Sequence, residues 1–434
     1  EPTNDSTITI NQIEELVYDG EAGGDTLTVS FSDLLIYKPD LYRADAGTFA
    51  MGSSLPLQFE QLGPAGTLNA QSMAAGDTLV VAGSQYTDDF SVGPTSVQYR
   101  DWLTLNHNLA PDDDLVILGG DPSTGSDEVT VTATAGNDTI TVDLQAAIIA
   151  GLGTPIDLDG IESLYVEGGG GDDTINLTNL GLPSELDYVE LDVAGNSNLN
   201  VSGTAGDERI EVTPRAAGSG QLREATDGPP IDYNGFGGVL TVNGGSAGFD
   251  VLALLGNDGA NVVTTPTATS VTISGGTVTL GTGLDRLDIQ TFGGDDSVTL
   301  SNGIAIPKIV DLGDGDDTVD ASAAAATDPT IYGGAGDDSI VGSPGPDLIF
   351  GGSGNDTISG LAGDDTIYGE AGDDRINGGT GADDLIGGAD ADTFVWTAGD
   401  GSDLVEGGTG VDVLDYTATA GADTLTVSAS GTRV

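Results

Sequence analysis

Along most of the 434-residue chain, short runs of Val, Ile and Leu alternate with Thr, Ser and charged residues, and each run is bounded by a Gly- and Asp-rich stretch. Alternation with a period of two marks half-buried strands, and β-branched side chains suit a pleated surface, so the pattern predicts an all-β chain. From Gly333 the alternation locks into a strict period of nine. The units read GGAGDDSIV, GSPGPDLIF, GGSGNDTIS, GLAGDDTIY, GEAGDDRIN, GGTGADDLI and GGADADTFV, ending at Val395. A related unit, LGDGDDTVD, occupies Leu312 to Asp320.

In a unit of form Gly-Gly-x-Gly-x-Asp-x-U-x, with U a large apolar residue, the first six residues predict a turn and the last three a short strand. Glycine provides the positive φ and close backbone approach that such a turn requires. If two units complete one turn of a flattened right-handed parallel coil, Asp residues 18 apart stack on one side. Asp338, Asp356, Asp374 and Asp392 then share a side and Asp347, Asp365 and Asp383 the other, while Asp317 belongs to the preceding unit. The U residues Ile340, Ile349, Ile358, Ile367, Ile376, Leu385 and Phe394 form a narrow core.

Carboxylates joined by turn carbonyls suit a hard cation that takes six to eight oxygen ligands, and favour Ca²⁺ over Mg²⁺. The candidate metal residues are these eight Asp together with the turn glycines Gly336, Gly354, Gly363, Gly372 and Gly381. One large apolar side chain per nine residues cannot offset an ordering entropy of roughly 1 to 2 kcal/mol per residue. Several calcium ions are therefore expected to contribute the difference, leaving the metal-free segment disordered.

These units resemble the RTX (repeats-in-toxin) nonapeptides of calcium-binding proteins exported by bacteria, and the close resemblance covers Leu312 to Val395. The resemblance implies secretion into a calcium-rich medium, often through a one-step export channel. Pro344 and Pro346, Glu370 at a Gly position, and Asp390 at another depart from the pattern. Sites on those turns are expected to be weaker or empty, and Gly351 to Asp365 is the cleanest stretch.

Upstream the repeat is looser. One half-unit recurs as ATAGNDTITV (Ala133 to Val142), GTAGDERIEV (Gly203 to Val212) and ATAGADTLTV (Ala418 to Val427); the other starts at Ile13, Ile161 and Leu284. The organisation expected is a half β module at 1–30, a globular β insert at 31–118, and repeated β modules of sandwich or solenoid type at 119–310. A calcium β-roll at 311–416 and the opening half of a further module at 417–434 complete it. The insert is set apart by aromatic residues from Tyr37 to Trp102 and by Lys38, Arg43, Arg100 and His107. The closing half at the start and the opening half at the end suggest head-to-tail assembly with copies of itself. A segment of a longer array gives the same pattern.

Charge then narrows the partners. The chain has 70 acidic against 10 basic residues, a formal net charge of −60, 69 Gly, one His and no Cys. Neutralising phosphates takes Lys and Arg, so nucleic acid and anionic membranes are excluded as natural partners. No run approaches the ~20 apolar residues that span a bilayer, so membrane insertion is not expected. Self-repulsion at this charge calls for bound cations or a salty medium.

No catalytic residues are expected. A single histidine, His107, rules out a His-Glu-x-x-His zinc site. Gly244-Gly245-Ser246-Ala247-Gly248 matches the G-x-S-x-G nucleophile elbow, yet it belongs to the acidic Gly-rich turn pattern that recurs at Gly407 to Asp412. The sequence therefore points to an extracellular, calcium-binding structural or adhesive protein forming a filament, surface layer or matrix component. A secreted carbohydrate-active enzyme or glycan-binding protein, with the insert as its active region, is the alternative.

Overall fold

In a computed structural model, residues 127–418 are described apart from 181–185, 217, 226–227, 268, 275, 302, 325–328; before them the described residues form strand segments between Leu16 and Leu118. The described residues contain no helix, and so none long and apolar enough to cross a membrane. The chain divides into two compact units, one of residues 1–204 with 222–240 and the other of residues 205–221 with 241–434.

In the second unit the chain winds back and forth between two parallel sheets. One sheet stacks Arg209–Ala216, Val251–Asn257, Arg286–Phe292, Lys308–Asp314, Thr330–Ala335, Leu348–Ser353, Thr366–Ala371, Asp384–Ala389 and Leu404–Thr409 in parallel register. The other stacks Val262–Thr267, Ser297–Thr299, Thr318–Asp320, Ser339–Val341, Thr357–Ala362, Arg375–Thr380, Thr393–Thr397 and Val413–Thr417. This is the parallel β-roll that the period of nine predicts. Its inner layer is the set of U residues: Ile340, Ile349, Ile358, Ile367, Ile376, Leu385 and Phe394 are each at most 2% exposed. Alternate residues face outward, as the pleat requires.

The coil does not begin at residue 311. The same parallel ladders extend upstream to Arg209 within this unit, so the modules there are of solenoid type. Their irregular spacing has a local cause: Val262–Thr267 runs into the antiparallel strands Ser270–Ile273 and Gly276–Leu280 before the coil resumes. Hairpin excursions lengthen a rung without changing its register.

The first unit uses the same plan. Glu128–Thr132, Ser163–Glu167, Tyr188–Asp192 and Ile231–Asn234 stack in parallel, as do Thr139–Asp143, Thr174–Thr178 and Asn198–Ser202. Where composition suggests a separate globular insert at 31–118, the described strands stay in the ladders: Leu34–Pro39, Thr78–Ala82, Asp114–Leu118 and Ile156–Asp159 pair in parallel. Antiparallel strands Gly47–Met51 and Leu57–Glu60 branch from this ladder. Aromatic content reports side-chain bulk, whereas backbone pairing sets the architecture. Residues 1–15 and 419–434, which carry most of the two expected half modules, lie outside the described residues.

Candidate metal centre

Every turn of the roll except Gly342 to Asp347 is shaped by two residues in the left-handed region of the backbone. Gly334, Gly352 and Gly388 hold the second position of their units at φ 113, 118 and 125°. Gly336, Gly354, Gly363 and Gly372 hold the fourth at 129 to 130°. Leu361 and Glu370 take the second position, and Asp390 the fourth, all at φ 78°, so these departures keep the turn and pay in strain. The fourth residue also stacks the rungs: N–H groups of Gly336, Gly354 and Gly363 donate to the carbonyls of Ser353, Ala371 and Thr380 at 2.7, 2.8 and 2.9 Å. A Cβ on Gly354 would overlap the Gly336 carbonyl, so only glycine allows this approach.

The sixth residues form two columns. On one side the N–H of Asp317 donates to Asp338 Oδ1, Asp338 to Asp356, Asp356 to Asp374 and Asp374 to Asp392, at 2.8, 2.8, 2.9 and 3.1 Å. On the other, Asp347 donates to Asp365, and Asp365 to Asp383, at 2.8 and 3.0 Å. One oxygen of each carboxylate thus caps the turn of the preceding rung.

The second oxygen has no such donor. Oδ2 of Asp317, Asp338, Asp356, Asp365, Asp374, Asp383 and Asp392 is buried without a hydrogen-bond partner. A Cβ built on the first glycine of a unit shows what this oxygen faces. At Gly351 it would meet Asp356 Oδ2 and, at 2.8 Å, the Gly369 carbonyl; at Gly360, Asp365 Oδ2 and the Gly378 carbonyl at 2.6 Å; at Gly369, Asp374 Oδ2 and the Gly387 carbonyl at 2.7 Å. A carboxylate oxygen and a carbonyl oxygen of the next rung therefore converge on one space. Two acceptors meeting there without a donor repel each other, and a buried unsatisfied charge is costly. A cation between them removes both penalties.

Calcium fits this donor set. All converging atoms are oxygens, and among the described residues no three His, Cys, Asp or Glu side chains cluster as a metal-binding group. Carbonyls must then complete the coordination sphere, as a hard cation of variable geometry permits. The carboxyl groups themselves record the cost of standing without a cation. Burial pushes Asp338, Asp365 and Asp374 up to about 7 and Asp317 up to about 6. The hydrogen bond from the preceding rung opposes the shift, and neighbouring carboxylates add to it. Asp356, Asp383 and Asp392 are raised by the same cause.

Asp347 differs from its column. Ser343, in the unit that carries Pro344 and Pro346, donates its N–H to Asp347 Oδ2 at 2.6 Å and its hydroxyl to Oδ1 at 2.7 Å. The protein itself serves both oxygens there. The columns also run further than the strict units do. Asp383 and Asp392 donate to Asp403 and Asp412 at 3.1 and 3.3 Å, each after a spacing of 20 residues. Upstream, Asp296 donates to Asp317 at 2.7 Å, and its own Oδ2 is buried without a partner. In the first unit Asp173 repeats the arrangement: its Oδ2 is buried without a partner, 2.6 Å from where a Cβ on Gly168 would sit. Acidic Gly-rich turns at these positions are the sequence signal, although their spacing departs from the period of nine.

The G-x-S-x-G match is one more such turn. Ser246 lies between the strands Leu240–Asn243 and Val251–Asn257, where Gly245 N–H donates to Asp250 Oδ2 at 2.6 Å, and no helix follows it. His107 ends the strand Thr104–His107, and its side chain is outside what is described.

Comparison with known families agrees with the geometry. The RTX calcium-binding nonapeptide repeat matches the chain in four copies, at residues 165–178, 332–367, 359–394 and 397–425. The first copy surrounds Asp173, and the other three span the roll. No curated protein matches the chain. The chain carries RTX calcium-binding repeats, and calcium is the ion they bind.

Proposed function

We propose that this RTX repeat chain is an extracellular scaffold whose rungs are locked by several calcium ions, serving a structural or adhesive role at a cell surface or in a matrix. The observation that carries the reading is the set of buried Oδ2 atoms of Asp338, Asp356, Asp365, Asp374 and Asp392, each facing a carbonyl of the next rung with no donor between them. An ion at each such point ties successive rungs together. A medium rich in calcium then completes the fold after export, whereas a calcium-poor interior leaves it incomplete. The seven Asp of the strict repeats and Asp317 upstream hold the ions through Oδ2, with Asp347 contributing least because Ser343 already serves it.

The outward-facing aromatic stack supports a structural reading over a sugar platform. Tyr332, Phe350 and Tyr368 stack at 4.9 Å between successive centroids and within 5° of parallel. Their faces are turned to one another, and a sugar ring stacks on faces, not edges. Circular dichroism and limited proteolysis of the whole chain in calcium, magnesium and chelator test the proposal. Calcium alone is expected to produce the β spectrum of the roll and protect 332–417 from cleavage. Equal spectra and equal cleavage in all three solutions contradict it.

A further inference from the structure

We infer that the side-chain amide of Asn261 takes the place of a calcium ion at the head of the Asp column, giving that column a first rung that is complete without metal. The inference rests on the calcium reading of the column. Asn261 stands at the sixth position of Gly256-Asn257-Asp258-Gly259-Ala260-Asn261, a turn that has the first and fourth glycines of the nonapeptide but not its Asp. Its backbone is in register with the column, since its N–H donates to Asp296 Oδ1 at 2.5 Å, as each Asp donates to the next.

The side chain does what the downstream carboxylates do not. Asn261 is fully buried, and its Nδ2 lies 2.8 Å from the Asn257 carbonyl, 2.6 Å from that of Gly259, 3.0 Å from that of Thr291 and 3.1 Å from Asp296 Oδ1. Two carbonyls of its own turn, one from the next rung and the next carboxylate thus surround a single electropositive group. Thr291 is the first residue of its turn. Its carbonyl corresponds to that of Gly351, which together with Asp338 Oδ2 a Cβ on Gly333 would strike. A Cβ on Gly256 would instead meet Nδ2 of Asn261 at 2.9 Å.

The amide orientation is fixed by its other end. Asn261 Oδ1 accepts from the Ser274 hydroxyl at 2.8 Å and from Asn257 Nδ2 at 3.2 Å. A flipped amide would set its oxygen among four oxygens and its NH₂ against two donors. An amide carries no net charge and needs no metal, so the rung at Asn261 is expected to be ordered in chelator. It then offers the strand Arg286–Phe292 a finished edge on which calcium-bound rungs stack.

Asn261→Asp restores the sixth-position carboxylate and tests the assignment in the full chain. Native mass spectrometry in saturating calcium is expected to count one more ion on the variant than on the wild type. Hydrogen exchange over 257–262 is expected to be slow in the wild type with or without calcium, and slow in the variant only with calcium. Equal ion counts in a folded variant overturn the inference, as does wild-type protection at 257–262 that vanishes in chelator. Should the variant fail to fold, Asn261→Ala decides. It is expected to lose protection at 257–262 in chelator without gaining an ion, and retained protection overturns the assignment. A wild type that binds no calcium overturns the calcium column itself, a result distinct from equal counts in a wild type that does bind.

Discussion

Glu370 holds φ 78° where its neighbours along the ladder, Gly352 and Gly388, hold 118 and 125°. A side chain in the left-handed region costs roughly 1 to 2 kcal/mol, part of which is recovered because glycine loses more entropy on folding. Glu370→Gly is therefore expected to stabilise the calcium-bound roll by about 0.5 to 1 kcal/mol in chemical denaturation; unchanged stability would show the turn is not strained there. Residue-level reading of the sequence named this departure, since the glycine pattern is strict enough to expose it. It missed Asp403 and Asp412, because a spacing of 20 residues breaks the period, and Asn261, because the motif is defined by the Asp it lacks. The raised carboxyls of Asp338, Asp365 and Asp374, about 7 against an ordinary 3.8, carry a second consequence. Between those values the metal-free folded roll binds more protons than the unfolded chain, so its stability falls as pH rises through that window. In chelator the β content of the roll is expected to grow as pH drops from about 8 toward 4, while calcium affinity weakens over the same range because protons compete for Oδ2. A metal-free roll that loses β content on mild acidification would contradict this.

At the scale of elements, the register of the strands is set by what stacks along the ladder. Inside, Ile331, Ile349, Ile367 and Leu385 lie in line, and Ile340, Ile358, Ile376 and Phe394 do so on the facing sheet. Removing a buried isoleucine side chain costs about 2 to 5 kcal/mol. Ile358→Ala is accordingly expected to raise the calcium concentration needed to fold the roll, read by circular dichroism. Outside, Phe350 lies between Tyr332 and Tyr368, and two aromatic pairs are worth roughly 1 to 3 kcal/mol together. Phe350→Ala is expected to cost about that amount without changing ion number, whereas loss of an ion would place the stack in the metal site. Upstream, Arg209 on its strand bonds Asp288 and Gln290 two strands away, across Ala253, and Arg286 adds a second pair to Asp288. Here charge pairs take over the tying of rungs. The alternation in the sequence revealed the strands, and the period of nine revealed how those of 312–395 stack. Hairpin excursions such as the strands Ser270–Ile273 and Gly276–Leu280 hid the same stacking further upstream, because an inserted hairpin changes spacing while leaving the ladder intact.

For the whole molecule, a net charge of −60 sets the condition under which it folds. Self-repulsion opposes every compact state, and burying carboxylates in columns makes the local cost greater. Monovalent salt screens the exposed charges, but a singly charged ion compensates converging buried oxygens less than Ca²⁺ does, so sodium chloride is not expected to replace calcium. Composition gave the excess of acidic charge; it did not distinguish a salt-adapted surface from a metal site, and the buried oxygens favour the metal site. The most direct measurement is amide hydrogen exchange at Ser339, Thr357, Arg375 and Thr393, whose N–H groups donate to the carbonyls of Asp317, Asp338, Asp356 and Asp374. Slow exchange in calcium and fast exchange in chelator, with sodium chloride restoring nothing, is the expected result. Equally slow exchange at these four amides without calcium would contradict a fold completed by the ion.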